Sequence, residues 1–215
     1  MIISHGRRFV FVHIPKTGGT SLSLALEARA MKDDILIGDT PKAKQRRGRL
    51  KGVETRGRLW KHSTLADIDG LVSPQELTDM FVFTLVRNPW DRMVSYYHWL
   101  QTQEFDHSAV RLAKRVPFPD FVRHPTTQMA FASSSAASYV TDATGRERCD
   151  AFVRLEHLKT DLVPVESHLG FALDVPYFNA SNRARDYRTY YDTDLTEIVG
   201  SLCRHDRRRF GYTFG

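Results

Sequence analysis

The sequence has few cysteines and no long hydrophobic run. Cys149 and Cys203 are its two cysteines, and without a CxxC pair they argue against a disulfide framework or a cysteine zinc site. No stretch reaches the ~20 apolar residues that a membrane-spanning helix requires. The N-terminal sequence MIISHGRRFVFVHIP contains arginines and lacks a small-residue cleavage site, unlike a secretory signal. These absences predict a soluble, cytoplasmic chain without a transmembrane segment.

The sequence also lacks an acidic excess, since 31 Lys and Arg against 25 Asp and Glu give a net charge of +6. Residues 42–61 hold nine Lys or Arg and one Glu, a local charge of +8, which leaves −2 on the rest of the chain. Because this segment has few large apolar residues, we predict an exposed, mobile loop. Two functions stay open for it: a solvated surface, or a guide for an anionic acceptor or for peripheral contact with anionic lipid.

Three apolar runs rich in β-branched and aromatic residues predict buried strands, at residues 8–14, 80–87 and 151–158. Each run is followed by a helical pattern, and a further helix is predicted from about residue 193 to 209. Such alternation predicts an α/β fold with a mainly parallel central sheet, formed as a single domain over residues 1–215.

The first strand runs into a glycine turn of sequence PKTGGTS, followed by a buried helix. Backbone N–H groups at a helix N-terminus, two glycines, hydroxyls and one lysine suit a phosphate or a similar oxyanion. The residues concerned are Lys16, Thr17, Gly18, Gly19, Thr20 and Ser21. The turn is not a Walker A loop, because Lys16 precedes the glycines instead of following them.

The second strand leads into RNPWDRMVSYY, which places Arg87 at the strand end and Ser95 about two turns into a helix. A guanidinium and a hydroxyl in this arrangement can bind a second phosphate. Helical spacing predicts a core face made by Trp90, Met93, Val94, Tyr97 and Leu100.

Together, HIPKTGGTS and LVRNPWDRMVSYY resemble the 5′-phosphosulfate loop and the 3′-phosphate motif of sulfotransferases that use 3′-phosphoadenosine-5′-phosphosulfate (PAPS). The nearest likeness is to the carbohydrate branch that contains heparan sulfate 2-O-sulfotransferase. Looser matches are VRLEHL, residues 179–181 and the terminal FGYTF.

The resemblance implies a three-layer fold related to the P-loop kinases and direct in-line sulfuryl transfer to a hydroxyl or amine of a glycan, lipid or small molecule. It implies that Lys16 stabilises the departing oxygen, that residues 17–21 surround the 5′ end, and that Arg87 and Ser95 bind the 3′-phosphate. The product would be adenosine-3′,5′-bisphosphate (PAP), and no metal is implied.

Transfer to a hydroxyl requires a base near the attacking oxygen. In the heparan-type relatives a histidine after the second region serves as base, which makes His62 the candidate here, with His13 as second choice. Either histidine could instead be structural.

Two other classes stay open. A P-loop-like ATP-dependent kinase would require Mg²⁺, and the position of Lys16 and the Arg87/Ser95 motif argue against it. A polyanion-binding module could use residues 42–61, but the run lacks the interleaved aromatics of nucleic-acid readers, so we expect no nucleic-acid partner.

Overall fold

The computed structural model describes residues 1–176 and 183–215, which form two compact units. The first unit comprises Met1–Val86 and Ala136–Asn179, and the second comprises Arg87–Ser135 and Ala180–Gly215. The predicted match at residues 179–181 lies outside the described residues.

The first unit contains a five-stranded sheet. Its strands are β1 (Ile2–Ser4), β2 (Phe9–Val12), β3 (Ile35–Leu36), β4 (Phe81–Val86) and β5 (Ala151–Arg154), in the spatial order β3-β1-β2-β4-β5. β4 pairs in parallel with β2 and with β5, whereas β1 pairs antiparallel with β2 and β3. The sheet is therefore mixed, and its predicted parallel character is confirmed for the centre.

Eleven α-helices are assigned in the described residues. They are α1 (Gly19–Ala28), α2 (Pro41–Arg46), α3 (Pro89–Gln101), α4 (Ser108–Arg115), α5 (Phe118–Arg123), α6 (Pro125–Ala132), α7 (Ala136–Val140), α8 (Leu158–Asp161), α9 (Val163–Leu169), α10 (Thr193–Leu202) and α11 (Arg204–Phe210). Within residues 1–176 and 183–215, no helix is both long and apolar enough to cross a bilayer.

Alternating side chains of the strands build two apolar layers, one on each face of the sheet. On one face, aromatic and aliphatic strand residues pack against α1 and α9: Phe9, Phe11, Phe83 and Leu85 against Leu22, Leu26, Val165 and Leu169. On the other face, β-branched strand residues pack against the chain between α2 and β4: Val10, Val12 and Val82 against Leu65, Ile68 and Val72. Both faces of the central strands are buried, which confirms the predicted α/β architecture.

The second unit is helical where it is described, and α3 is its central element. Asn88 is the N-cap of α3, because its side chain accepts a hydrogen bond from the N–H of Trp90 at 3.1 Å and Pro89 occupies the first helical position. The predicted core face of α3 is confirmed, since all five of its residues are buried. The Trp90 indole N–H donates to the carbonyl oxygen of Thr196 in α10 at 2.9 Å.

Two sequence predictions need correction. The basic segment is not a loop throughout, because Thr40 accepts a hydrogen bond from the N–H of Ala43 and starts α2, which continues into a 3-10 turn at Arg47–Leu50. The helix predicted to run to about residue 209 is two helices, because the chain leaves helical geometry at Cys203, with φ −102° and ψ 25°.

Candidate active site

The loop between β2 and α1 has the geometry expected for a glycine turn at a helix start. Gly18 lies in the left-handed region, with φ 88° and ψ 5°, and as the N-cap of α1 it has no side chain that could cap the helix. Gly19 lies so close to the imidazole of His13 that an added Cβ would be 2.1 Å from Cδ2. A Cβ added at Gly18 would lie 2.8 Å from Cδ1 of Leu155, so only glycine fits at both positions, and the loop backbone packs closely against these two side chains.

Lys16 also has a left-handed backbone, with φ 67°, which a non-glycine residue adopts at a cost of roughly 1–2 kcal/mol. Backbone strain of this kind is common where a side chain has to be aimed at a ligand. Thr17 is buried, and its hydroxyl donates to the carbonyl oxygen of Ile14 at 2.9 Å. The hydroxyl proton of Thr17 is therefore used within the loop. For binding an anion, Thr17 offers its backbone N–H.

His62 and His13 are 49 residues apart in sequence and in contact in the first unit. The Nδ1 atom of His62 lies 2.7 Å from the carbonyl oxygen of His13, and the two rings meet edge to face with centroids 4.6 Å apart. A carbonyl oxygen can only accept, so Nδ1 carries a proton and donates it. In the neutral ring the lone pair is then on Nε2, the atom that a general base needs.

Both imidazoles are neutral at physiological pH. Burial lowers the pKa of His62 to about 3, although the hydrogen bond to the His13 carbonyl acts in the opposite direction. Burial also lowers the pKa of His13 well below its usual value. At physiological pH the Nε2 atom of His62 is therefore unprotonated.

Arg87 and Ser95 both belong to the second unit. Arg87 lies just before α3, and Ser95 lies about two turns into that helix. The Arg87 guanidinium donates through Nε and one Nη to the Oδ2 atom of Asp91, at 2.9 and 2.6 Å. Asp91 also accepts at Oδ1 from Arg183 at 2.6 Å, so one carboxylate holds two guanidinium groups. Ser95 is buried one turn after Asp91, on the same face of α3.

Arg92, the other arginine of the second motif, has a structural role in the second unit. It is buried, donates to the carbonyl oxygen of Ser134 at 3.0 Å, and lies over the ring of Phe131. It thereby connects α3 to the chain that follows α6.

Several cations of the basic segment 42–61 bind groups of the first unit. Arg46 donates to the carbonyl oxygens of Met31 and Asp34, at 2.7 and 3.1 Å, and Lys61 pairs with Asp39 at 2.8 Å. Lys42 donates to the carbonyl oxygen of Glu27, Arg49 to that of Lys32 and Arg56 to that of Ala143. By contrast, Lys44, Lys51 and Arg58 are exposed, and none of them forms a side-chain hydrogen bond or ion pair with the described residues.

Sequence reasoning missed two features of the candidate site. Asp91, which holds Arg87, was signalled only by the i, i+4 spacing of the two residues in a predicted helix. The backbone carbonyl of His13, which orients His62, gave no local signal, because that contact joins distant parts of the sequence. Among the described residues, no group of three or more His, Cys, Asp or Glu side chains is placed to hold a metal ion.

Known proteins that are similar to this chain identify its family and its fold. The model of the sulfotransferase family Sulfotransfer_2 matches residues 1–213. The crystal structure of mouse sulfotransferase SULT7A1 complexed with PAP is similar with a TM-score of 0.57 at 15% identity, over 94% of this chain and 85% of that chain, which shows a shared fold. A sulfotransferase from Alicyclobacillus acidocaldarius has a TM-score of 0.43 at 18% identity, over 96% of each chain. None of the curated proteins matches the sequence. Because the family model spans almost the whole sequence, the chain belongs to the sulfotransferase family.

Proposed function

We propose that this sulfotransferase uses PAPS as co-substrate, transfers its sulfuryl group to an acceptor hydroxyl or amine, and releases PAP. The contact between His62 and the backbone of His13 carries the proposal, because it brings a base with a defined lone pair to the strand that leads into the glycine loop. The SULT7A1 structure, which is complexed with PAP and shares the fold, supports the identity of the co-substrate. The family match over residues 1–213 supports a single catalytic domain over 1–215.

The glycine loop fits a phosphosulfate group on grounds of its own geometry. No side chain caps the N-terminus of α1 with a hydrogen bond, and α1 has no acidic residue in its first turn. Oxyanions bind helix N-termini of this kind through backbone N–H groups. We assign the 5′ end of the co-substrate to residues 16–21, with Lys16 as the cation that neutralises charge on the departing bridging oxygen.

His62 would act as general base. Its Nε2 accepts the proton of the acceptor hydroxyl while the acceptor oxygen forms its bond to sulfur, and the bond between sulfur and the bridging oxygen breaks. The electron pair of that broken bond goes to the bridging oxygen of PAP, where Lys16 stabilises the charge. The carbonyl of His13 keeps the Nδ1 proton in place, so the imidazole presents the correct nitrogen throughout the step.

Arg87 and Ser95 are assigned to the 3′-phosphate. Asp91 fixes the Arg87 side chain and reduces the rotamer freedom that binding would otherwise remove. The same carboxylate holds Arg183, so two guanidinium groups are ordered at the start of α3. With one carboxylate between them, the two guanidinium groups leave a local excess of positive charge that favours binding of a phosphate.

We propose that the acceptor is a glycan, a lipid or a small molecule. The likeness to the carbohydrate branch with heparan sulfate 2-O-sulfotransferase rests on the two motifs. We assign a guiding role toward an anionic acceptor or lipid surface to Lys44, Lys51 and Arg58, because the other basic side chains named above bind groups of the first unit. We propose a cytoplasmic location and no nucleic-acid partner.

A thermal-shift comparison tests the co-substrate assignment. A ligand that binds only the folded state raises Tm once its concentration passes Kd. We expect PAP to stabilise the chain, and ATP with Mg²⁺ or an oligonucleotide to have little effect. Stabilisation by ATP with Mg²⁺ but not by PAP would contradict the proposal and favour a kinase.

A further inference from the structure

Trp60 exposes its indole beside the candidate base. The residue is 47% exposed, and the other exposed large apolar residues of the described chain are Met31, Phe105, Met129 and Val163. Single exposed apolar side chains are common and require no explanation by themselves. Trp60 differs because its ring contacts His62 edge to face, with centroids 5.0 Å apart and planes at 88°.

The backbone around Trp60 is fixed by a buried serine. The hydroxyl oxygen of Ser63 accepts from the Trp60 N–H at 2.9 Å and lies 3.0 Å from the carbonyl oxygen of Arg58. The Ser63 N–H in turn donates to the carbonyl oxygen of Trp60 at 3.0 Å. The preceding residue, Leu59, packs against the apolar layer beneath. The chain from 58 to 63 therefore presents the indole outward from a fixed turn.

The imidazole of His62 has an aromatic neighbour on each of two sides. His13 contacts it with a centroid distance of 4.6 Å, and Trp60 contacts it at 5.0 Å. The His13 ring is buried, whereas the indole is accessible, so a molecule bound near His62 can reach the indole but not the His13 ring. Because the His62 and Trp60 ring centroids are 5.0 Å apart, a group whose hydroxyl binds Nε2 of His62 lies near the indole of Trp60.

We propose that Trp60 is an acceptor-binding residue that stacks on the flat apolar face of a ring carrying the reacting hydroxyl, as in an aryl alcohol or a pyranoside. This inference rests on the proposed function and deepens it. An indole supplies a large contact area, and with two side-chain torsions it loses little entropy when it is ordered. It therefore favours a rigid ring over a flexible acyclic alcohol of similar apolar area.

The test is calorimetric titration of PAP-saturated protein with three probes: 2-naphthol, methyl β-D-glucopyranoside and 1-hexanol. The variants are Trp60→Ala, Trp60→Phe and, as a matched exposed aromatic, Phe105→Ala, whose residue is 50% exposed. We expect at least one ring probe to bind the wild type, and Trp60→Ala to weaken that binding by about three- to tenfold. Trp60→Phe should retain most of the affinity, and Phe105→Ala should equal the wild type.

The two ring probes distinguish an aryl alcohol from a pyranoside. The third probe, 1-hexanol, measures the apolar binding of an alcohol that has no ring. Binding of neither ring probe to the PAP-saturated wild type, or equal ring binding by wild type and Trp60→Ala, would overturn the inference. A loss shared equally by 1-hexanol would also overturn it, because stacking on a ring face would not be the cause. Failure of PAP itself to bind would instead overturn the proposed function.

Discussion

At the scale of single residues, Lys16 combines a strained backbone with a proposed catalytic charge. Lys16→Gly removes the charge and also the steric cost of φ 67°, so we expect Tm to change by less than about 3 °C, because glycine's extra unfolded-state entropy offsets the relief. Turnover should fall by about 10²-fold or more, since charge stabilisation at the departing oxygen is lost. Steady-state kinetics and a melting curve measure the two effects separately.

The control for this prediction is Arg8→Gly, because Arg8 is the other described non-glycine residue with positive φ, at 54°. Its guanidinium lies at the opposite end of β2 from the glycine loop, so turnover should stay near that of the wild type. A similar loss of turnover in both variants would mean that Lys16 acts through the fold and not through its charge.

Gly19 is required by the ring of His13, and a methyl group tests this directly. Gly19→Ala places Cβ 2.4 Å from Nε2 of His13, in addition to its close approach to Cδ2, so the ring or the helix start must move. We expect a loss of about 1–3 kcal/mol of stability from overpacking, together with weaker PAP binding. Gly48→Ala, where no atom beyond the adjacent residues lies within 4 Å of the added Cβ, is the matched control in chemical denaturation. Equal stability of the two variants would contradict the close contact.

At the scale of elements, the basic segment 42–61 shows that a cluster of charged side chains can bind the protein's own backbone instead of facing solvent. Arg46 donates to two backbone carbonyls in the first unit, whereas the side chain of Lys44 is exposed. Arg46→Gln should therefore lower the free energy of unfolding by about 1–2 kcal/mol, because it leaves the two carbonyls without a charged donor. Lys44→Gln should be neutral within ~0.5 kcal/mol in urea denaturation. Equal losses would show that total charge decides stability here, not these contacts.

The start of α2 is marked in the sequence, but the overall composition of the segment favours a loop. Thr40 and Pro41 are a typical N-cap and first helical residue, but the high charge and the glycines favoured a loop. The helix α3 was easier to predict, because its five core residues recur at helical spacing and all five are buried. The antiparallel strands β1 and β3 were not predicted, since strands of three and two residues depend on their pairing partners more than on local sequence.

At the scale of the whole molecule, the two neutral histidines couple stability to pH. For His62 the unfolded pKa is near 6.5 and the folded pKa is about 3, so between these values the unfolded chain binds more protons. The free energy of unfolding therefore rises with pH across this window, and His13, whose pKa is also lowered, adds to the same slope. We expect Tm to fall as pH drops below 6.5, and the fall to be shallower in His62→Gln. A Tm of His62→Gln that falls as steeply as that of the wild type would contradict this origin.

The sequence predicts those parts of the candidate site that are formed by consecutive residues. The glycine loop and the residues of α3 could be predicted because strand, turn and helix are consecutive in the chain. The donation from His62 to the His13 carbonyl, and the pair between Arg183 and Asp91, join residues far apart in sequence. Such contacts depend on how the strands and helices pack, which single-residue propensities do not encode.

Sulfuryl transfer from radiolabelled PAPS tests the proposed function most directly, in a screen of hydroxyl and amine acceptors with wild type, Lys16→Gly and His62→Ala. We expect acceptor-dependent label transfer by the wild type. We expect His62→Ala to bind PAP like the wild type, yet to lose about 10²–10⁴-fold in turnover at saturating acceptor, because the base is missing. Full turnover by His62→Ala would contradict the assigned base, and absence of label transfer from PAPS to every acceptor by the wild type would contradict the proposed function.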